Sequence, residues 1–217
     1  MRHFVKGPPP ADFEEWKSLA NDDWQPTYDD LQNPQKGELH RALLNEQGHV
    51  CCYCGRSISV TDSHIEHFRP QELRTDLALS YDNLFASCIR ETAHGAPLHC
   101  GHAKGNDFDD TLHISPLDVV TERRFIYTLT GSVLPTDAAD AQATYMSNLL
   151  RLDIEFLRNR RLDALANAFD EAFIASATSE ELETLANAFR QRDANGHLDS
   201  FGHVLARCRV PDDYARS

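Results

Sequence analysis

The sequence lacks the long apolar run of a membrane-spanning helix. No stretch approaches the roughly 18 consecutive apolar residues that a bilayer helix needs, and the mean hydropathy is -0.49. The N-terminal region also lacks the apolar core of a secretory signal ahead of the proline triplet at residues 8–10. We therefore expect a cytoplasmic protein without a membrane partner.

Basic residues are also scarce. Lysine and arginine number 21 against 34 aspartates and glutamates, which gives a formal net charge of -13. Proteins that bind nucleic acid draw affinity from basic side chains that displace counterions from the phosphates. The composition therefore argues against tight binding to nucleic acid by the chain alone. A role on nucleic acid would require a partner that supplies positive surface.

The 217 residues fit one domain with an accessory lobe, or two small domains. We predict an α+β fold in three parts: an N-terminal segment (residues 1–35), a core (36–115) and a mainly helical C-terminal lobe (116–217). In the core, the pattern predicts a helix over 36–46 and a hairpin of strands 57–60 and 63–68, and a short apolar run follows over 84–86. In the lobe it predicts a strand pair over 124–129 and 133–134, and helices over 141–175 and 180–190.

The first long helix of the lobe carries a group of arginines. Acidic residues are interleaved with them, which favours a solvated, salt-bridged face over a ridge that contacts nucleic acid. The four are Arg151, Arg158, Arg160 and Arg161.

Histidine and cysteine are concentrated in the core. Seven of the 11 histidines fall between His49 and His113, and five of the six cysteines fall between residues 51 and 100. In a reducing cytosol such clustering indicates metal binding before disulfides. Cys51 and Cys54 can hold one ion from a single tight turn, and Cys88 and Cys100 would complete the tetrahedron that Zn²⁺ prefers. The alternative is that Cys88 and Cys100 are core thiols beside an unrelated turn.

A second group of chemically active residues lies between these cysteines. Glu66 and His67 stand next to each other at the end of a predicted strand. A carboxylate can hold a hard divalent cation while an imidazole takes a proton from water, which is the pattern of metal-assisted hydrolysis. The alternative is a histidine-rich strand with a purely structural role.

Four sequence motifs in this region together resemble those of the HNH nuclease family. They are CCYC at residues 51–54, HIEHFRPQ at 64–71, SYDNLFASC at 80–88 and HCGHAKG at 99–105. The resemblance covers about residues 36–110. It implies a ββα-metal core that is stabilised by a structural zinc ion bound to four cysteines. Within the family the chain looks most like the HNH subunit of Septu-type anti-phage systems, including the retron-associated form.

The resemblance assigns a role to each matching residue. His67 would be the general base, Glu66 would ligate a catalytic Mg²⁺ or Mn²⁺, and Asn83 would clamp the loop that orients His67. The third position of the ion site is His102 or Asn106, because Gly101 stands where the family usually has a histidine. His64 and His99 are further candidate ligands close to the site. Lys104 is either a phosphate contact or a solvated lysine.

The resemblance also implies a biological setting. The chain would be the toxic effector of an anti-phage defence complex with an ATPase partner, joined in the retron-associated form by a reverse transcriptase and its RNA–DNA hybrid. The substrate would be DNA or RNA. Two alternatives remain at this stage: a non-catalytic zinc-binding adaptor in such a complex, and a nuclease that works alone.

Overall fold

The computed structural model describes residues 1–169 and 176–209, and within them the fold is α+β, as predicted. Three short 3₁₀ turns accompany the helices and strands. The helices are α1 (Ala11–Lys17), α2 (Gln35–Gln47), α3 (Gly101–Lys104), α4 (Ala141–Leu149), α5 (Glu155–Ala168), α6 (Ser179–Ala188) and α7 (Gly202–Leu205). The strands are β1 (Ser63–His67), β2 (Leu84–Cys88), β3 (Phe125–Thr128), β4 (Val133–Pro135) and β5 (Cys208–Arg209).

The helix predicted over 36–46 is α2, and its apolar face is buried. Leu39, Leu43 and Leu44 recur at helical spacing and are fully excluded from solvent. The helix ends at Gly48, which adopts a left-handed conformation with φ of 65° and donates its backbone N–H to the Asn45 carbonyl. This turn delivers the chain directly to Cys51.

The strand at residues 63–67 forms as predicted, but the hairpin prediction was wrong about its partner. β1 pairs antiparallel with β2, in a register that sets Glu66 opposite Phe85 and His67 opposite Leu84. Of the segment 57–60, Ser57 forms only an isolated bridge with Val50. The turn signal at residues 61–62 reflects neighbouring residues only. The strand that pairs with β1 comes instead from about twenty residues further along the chain.

A second sheet lies in the C-terminal half. β3 pairs antiparallel with β4, which confirms the predicted strand pair, and β5 adds a short parallel strand beside β3. The Asp140 side chain accepts a hydrogen bond from the Ala143 amide at the N-terminus of α4.

The prediction of one continuous helix over 141–175 was wrong at residues 150–154, where a turn interrupts it. The segment is divided into α4 and α5 by this turn, in which Arg151 adopts a positive φ of 50°, and residues 170–175 lie outside the described residues. The predicted solvated face also fails at Arg161, which is 1% exposed. Its guanidinium donates to the carbonyls of Gly131 and Leu152, so it fastens to α5 both the turn between β3 and β4 and the turn between α4 and α5.

One hydrophobic cluster receives side chains from all three predicted parts of the chain. Phe4 and Phe13 come from the N-terminal segment, Leu43 from the central part, and Leu157 and Phe201 from the C-terminal half. Within the described residues, no helix combines the length and apolar character needed to cross a bilayer. The three-part division of the chain stays a prediction.

Candidate active site and metal centre

The four predicted zinc ligands converge in one buried cluster. Cys51 and Cys54 lie in the turn after α2, Cys88 ends β2, and Cys100 immediately precedes α3. Their sulfur atoms all lie within 4.8 Å of one another, and the Cys54 and Cys88 sulfurs are 3.8 Å apart. A tetrahedron with Zn–S bonds of about 2.3 Å has edges of about 3.8 Å, so the cluster fits a zinc ion.

Hydrogen bonds within the cluster favour a thiolate at Cys51. The Cys88 amide donates to the Cys51 sulfur at 3.4 Å, and His99 Nδ1 lies 3.5 Å from the Cys88 sulfur and 3.2 Å from that of Cys100. Burial alone would raise the pKa of Cys51, but hydrogen bonds from the neighbouring thiols, Cys100 first, hold it well below its ordinary value. Burial raises the pKa of Cys100 well above its ordinary value. The hydrogen bond with Cys100 opposes a rise in the pKa of Cys88, but the one with Cys51 raises it, so a bound metal ion would have to displace these thiol protons.

Glu66 is a buried carboxylate held by three side chains. Tyr53 donates its hydroxyl to Oε1 at 3.0 Å, the Lys104 ammonium lies 3.0 Å from the same oxygen, and His64 Nε2 lies 3.2 Å from Oε2. Burial alone would raise the pKa of Glu66, but His64 and Lys104 together lower it below its ordinary value. The carboxylate is thus ionised and fixed in position.

The glycine at position 101 is explained by the position of Glu66. A Cβ on Gly101 would lie 2.3 Å from Glu66 Oε2 and 2.8 Å from His64 Nε2, closer than any real contact. Among the described residues Oε2 has one hydrogen-bond partner, His64, which leaves a lone pair for another ligand. The missing side chain at Gly101 leaves space beside that oxygen.

His67 lies at the end of β1, and one of its ring nitrogens forms a hydrogen bond with the backbone. Nε2 donates to the Ala78 carbonyl at 3.0 Å, so the proton lies on Nε2 and the lone pair is on Nδ1. The Tyr28 ring packs edge-on against the imidazole, with the ring centroids 4.4 Å apart. Burial lowers the pKa of His67 from its ordinary value, which favours the neutral form that can accept a proton.

Asn83 closes the loop between β1 and β2. Its side-chain oxygen accepts the Arg69 amide at 2.8 Å, and its side-chain nitrogen donates to the carbonyls of Arg69 and Leu77 at 3.0 and 3.2 Å. Ala78, whose carbonyl holds His67, follows Leu77 in this loop. Asn83 therefore clamps the loop, and its effect on His67 would pass through Ala78; its part in catalysis stays a prediction.

The two candidates for the third ion ligand lie in different places. His102 Nε2 donates to the Ile89 carbonyl at 2.9 Å, and its ring lies beside His64 rather than beside His67. Asn106 lines the same cleft as Glu66 and His67. The geometry favours Asn106, and the assignment itself stays a prediction.

The Ile89 carbonyl also accepts from His64 Nδ1 at 2.7 Å. Ile89 has a φ of 72°, a left-handed conformation that is rare and strained for a β-branched residue. In this strained conformation the Ile89 carbonyl accepts hydrogen bonds from both His64 and His102. Because its Nδ1 donates to Ile89, His64 can turn Nε2 towards Glu66.

Glu66, His67 and Asn106 line one open cleft with a volume of about 460 Å³. Oxygen ligands dominate its lining, which suits a hard cation such as Mg²⁺ or Mn²⁺ better than a thiolate metal. The lining includes Asp29, Glu66, His67, Glu72, Lys104 and Asn106.

Sequence reasoning missed three partners of the site. Tyr53 was noticed only as part of the cysteine phrase, and Tyr28 was assigned to the N-terminal segment. Lys104 was expected to touch a phosphate or solvent, but its side chain is 1% exposed and pairs with Glu66. A lysine one helical turn beyond a cysteine ligand is the one signal in the sequence that could have placed Lys104 inside.

Comparison with known proteins finds a relative of this chain. It is 25% identical over 153 residues to a protein of Vibrio cholerae serotype O1 biovar El Tor named "Retron Vc95 putative HNH endonuclease". The aligned region covers 66% of this chain and 69% of that protein. No protein-family profile matches the chain. The similarity supports a relation to HNH endonucleases and, in general terms, a nuclease role.

Proposed function

We propose that the protein is a metal-dependent HNH endonuclease that hydrolyses phosphodiester bonds of nucleic acid. The observation that carries the proposal is the state of His67: its Nε2 proton is bound by a backbone carbonyl, which leaves Nδ1 as the acceptor, and His67 lines an open cleft together with the buried carboxylate of Glu66. In this proposal β1, β2 and α3 form the ββα unit.

The proposed reaction begins at His67 Nδ1. This nitrogen takes a proton from a water molecule, the water oxygen attacks the phosphorus, and the bond from phosphorus to the 3′ oxygen breaks. Asn83 keeps the loop in place, and the Ala78 carbonyl balances the positive charge that develops on the imidazolium. The lowered pKa of His67 keeps it ready to accept the proton at neutral pH.

Glu66, with Asn106 or His102, would hold the divalent cation. A bound Mg²⁺ or Mn²⁺ supplies neutralisation of the charge that develops on the phosphate and on the leaving oxygen. The zinc of the four-cysteine cluster would be structural, because all four of its positions are taken by protein ligands.

We further propose that the chain acts inside an anti-phage defence complex. The name of the Vibrio protein supports a retron setting, and the net charge of -13 supports a partner that brings positive surface. The partner would be an ATPase, and in a retron system a reverse transcriptase with its RNA–DNA hybrid would join it. The chain would be the toxic effector of that complex.

Glu66→Gln tests this function, because glutamine keeps the size of the side chain and removes the charge that holds a cation. We expect the complex purified from cells that express the chain with its neighbouring genes to cleave nucleic acid only with added Mg²⁺ or Mn²⁺. The variant should cleave at least about 100-fold more slowly. Cleavage by the variant at the wild-type rate, or cleavage without a divalent cation, would contradict the proposal.

A further inference from the structure

A second groove runs beside the catalytic cleft, between α2 and β1. It has a volume of about 730 Å³, and its lining includes Tyr28, Lys36, His40, Arg41, Ile65 and Arg90. Ile65 also lines the catalytic cleft, so the two depressions adjoin across β1.

The two depressions differ in the sign of their charge. The catalytic cleft is lined by three carboxylates, those of Asp29, Glu66 and Glu72, and by one buried lysine. The groove is lined by three cations, Lys36, Arg41 and Arg90, against the single carboxylate of Glu91. In a chain with a net charge of -13, this local excess of positive charge is unusual.

The cations of the groove are available to a ligand. In the part of the chain that the structure describes, neither Lys36 nor Arg90 forms an ion pair, and Arg41 pairs only with exposed Glu38 on its own helix. Exposed pairs of this kind are weak. Arg90 anchors one guanidinium nitrogen on the Val60 carbonyl at 2.8 Å and keeps its other donors.

Lys36 connects the groove to the catalytic histidine. Its ammonium lies 4.7 Å from the centre of the Tyr28 ring, and the same ring packs against His67. The positive charge of Lys36 is also close enough to help lower the pKa of His67. A chain of two contacts thus leads from the Lys36 ammonium in the groove to His67.

We propose that this groove binds the phosphodiester backbone of the nucleic-acid strand beside the phosphate that is cleaved at His67. The inference rests on the proposed nuclease function. Lys36, Arg41 and Arg90 would each face a phosphate, and the acidic cleft next to them would receive the scissile phosphate together with the cation. The contacts are to the backbone, so this groove reads no base sequence.

The test is a binding measurement on a chain that cannot cleave. The complex purified with the products of the neighbouring genes and carrying His67→Ala is titrated into a fluorescein-labelled 30-nucleotide strand, as DNA and as RNA, and anisotropy is followed between 20 and 200 mM salt. The same titration is run with Lys36→Gln and Arg90→Gln added. The matched control adds Arg123→Gln and Arg158→Gln, which remove the same charge from residues that line neither depression.

We expect the groove variant to bind about tenfold more weakly at low salt. The slope of log affinity against log salt should fall by about 1.4, because each lost phosphate contact removes about 0.7. The control should bind within about twofold of the parent. Absence of binding by the parent, or equal losses in the groove and control variants, would overturn the proposal.

Cleavage assays on the complex keep this inference separate from the proposed function. If Glu66→Gln stops cleavage and the Lys36→Gln/Arg90→Gln enzyme binds and cleaves as the wild type does, the groove proposal fails and the nuclease stands. If the groove variant loses binding and Glu66→Gln still cleaves, the function assigned to the cleft fails instead.

Discussion

At the scale of single residues, burial keeps one histidine of the groove uncharged. His40 is 6% exposed, its Nε2 lies 2.9 Å from the Ser63 hydroxyl, and burial lowers its pKa to about 4. The unfolded chain takes up this proton near pH 6.5. His40 therefore costs no stability above pH 6.5, and the free energy of unfolding falls as pH drops from 6.5 towards 4.

His40→Gln tests this dependence, because glutamine has no proton to gain. Between pH 7.5 and 5 we expect the wild type to lose about 1 to 2 kcal/mol more unfolding free energy than the variant. Urea denaturation at the two pH values, with zinc content measured in both proteins, gives the difference. Equal losses in the two proteins would show that His40 is protonated in the folded state.

At the scale of elements, the start of α3 depends on a residue without a side chain. A Cβ on Gly101 would displace Glu66 Oε2, and Tyr53 and Lys104 leave that carboxylate little room to move. We expect Gly101→Ala to slow cleavage by about 100-fold, the usual cost of a displacement of about 1 Å in a catalytic group. Zinc content should stay at one ion per chain. Cleavage at the wild-type rate would contradict the predicted role of Glu66.

At the scale of the whole molecule, the C-terminal region braces the cysteine turn. Gly55 has a φ of 75°, and a Cβ there would lie 2.2 Å from the ring of His203 in α7. His203 is buried and its Nε2 lies 3.1 Å from the Tyr127 hydroxyl, so the ring cannot yield. The Gly55 carbonyl also accepts the Phe201 amide at 2.7 Å.

Gly55→Ala should therefore lower the free energy of unfolding by about 3 kcal/mol, from backbone strain together with the clash. Gly196→Ala is the matched control: its φ is 81°, and among the described residues only its own chain neighbours come within 4 Å of its Cβ position. It should cost about 1 kcal/mol, from strain alone. Urea denaturation measures both, and equal costs would contradict the bracing contact.

Chemistry encoded by residue type and spacing could be predicted from the sequence, whereas contacts made over long distances could not. Cys51 and Cys54 mark a metal turn by spacing alone, and the convergence of Cys88 and Cys100 with them confirms a cysteine cluster that can hold zinc. The partner of β1 was missed because a local turn signal at residues 61–62 outweighs a pairing that depends on the whole fold. The burial of Arg161 was missed because its carbonyl partners carry no sequence pattern.

The most direct measurement of the central claim is cleavage by the assembled complex with His67→Ala, at saturating Mg²⁺. Removal of the base should slow cleavage by at least about 100-fold. Zinc content should match that of the wild type and the unfolding transition should change little, because the side-chain partners found for His67 among the described residues, the Ala78 carbonyl and the Tyr28 ring, are not part of the cysteine cluster. Cleavage at the wild-type rate by this zinc-loaded, folded variant would contradict the account and leave the protein a zinc-binding adaptor.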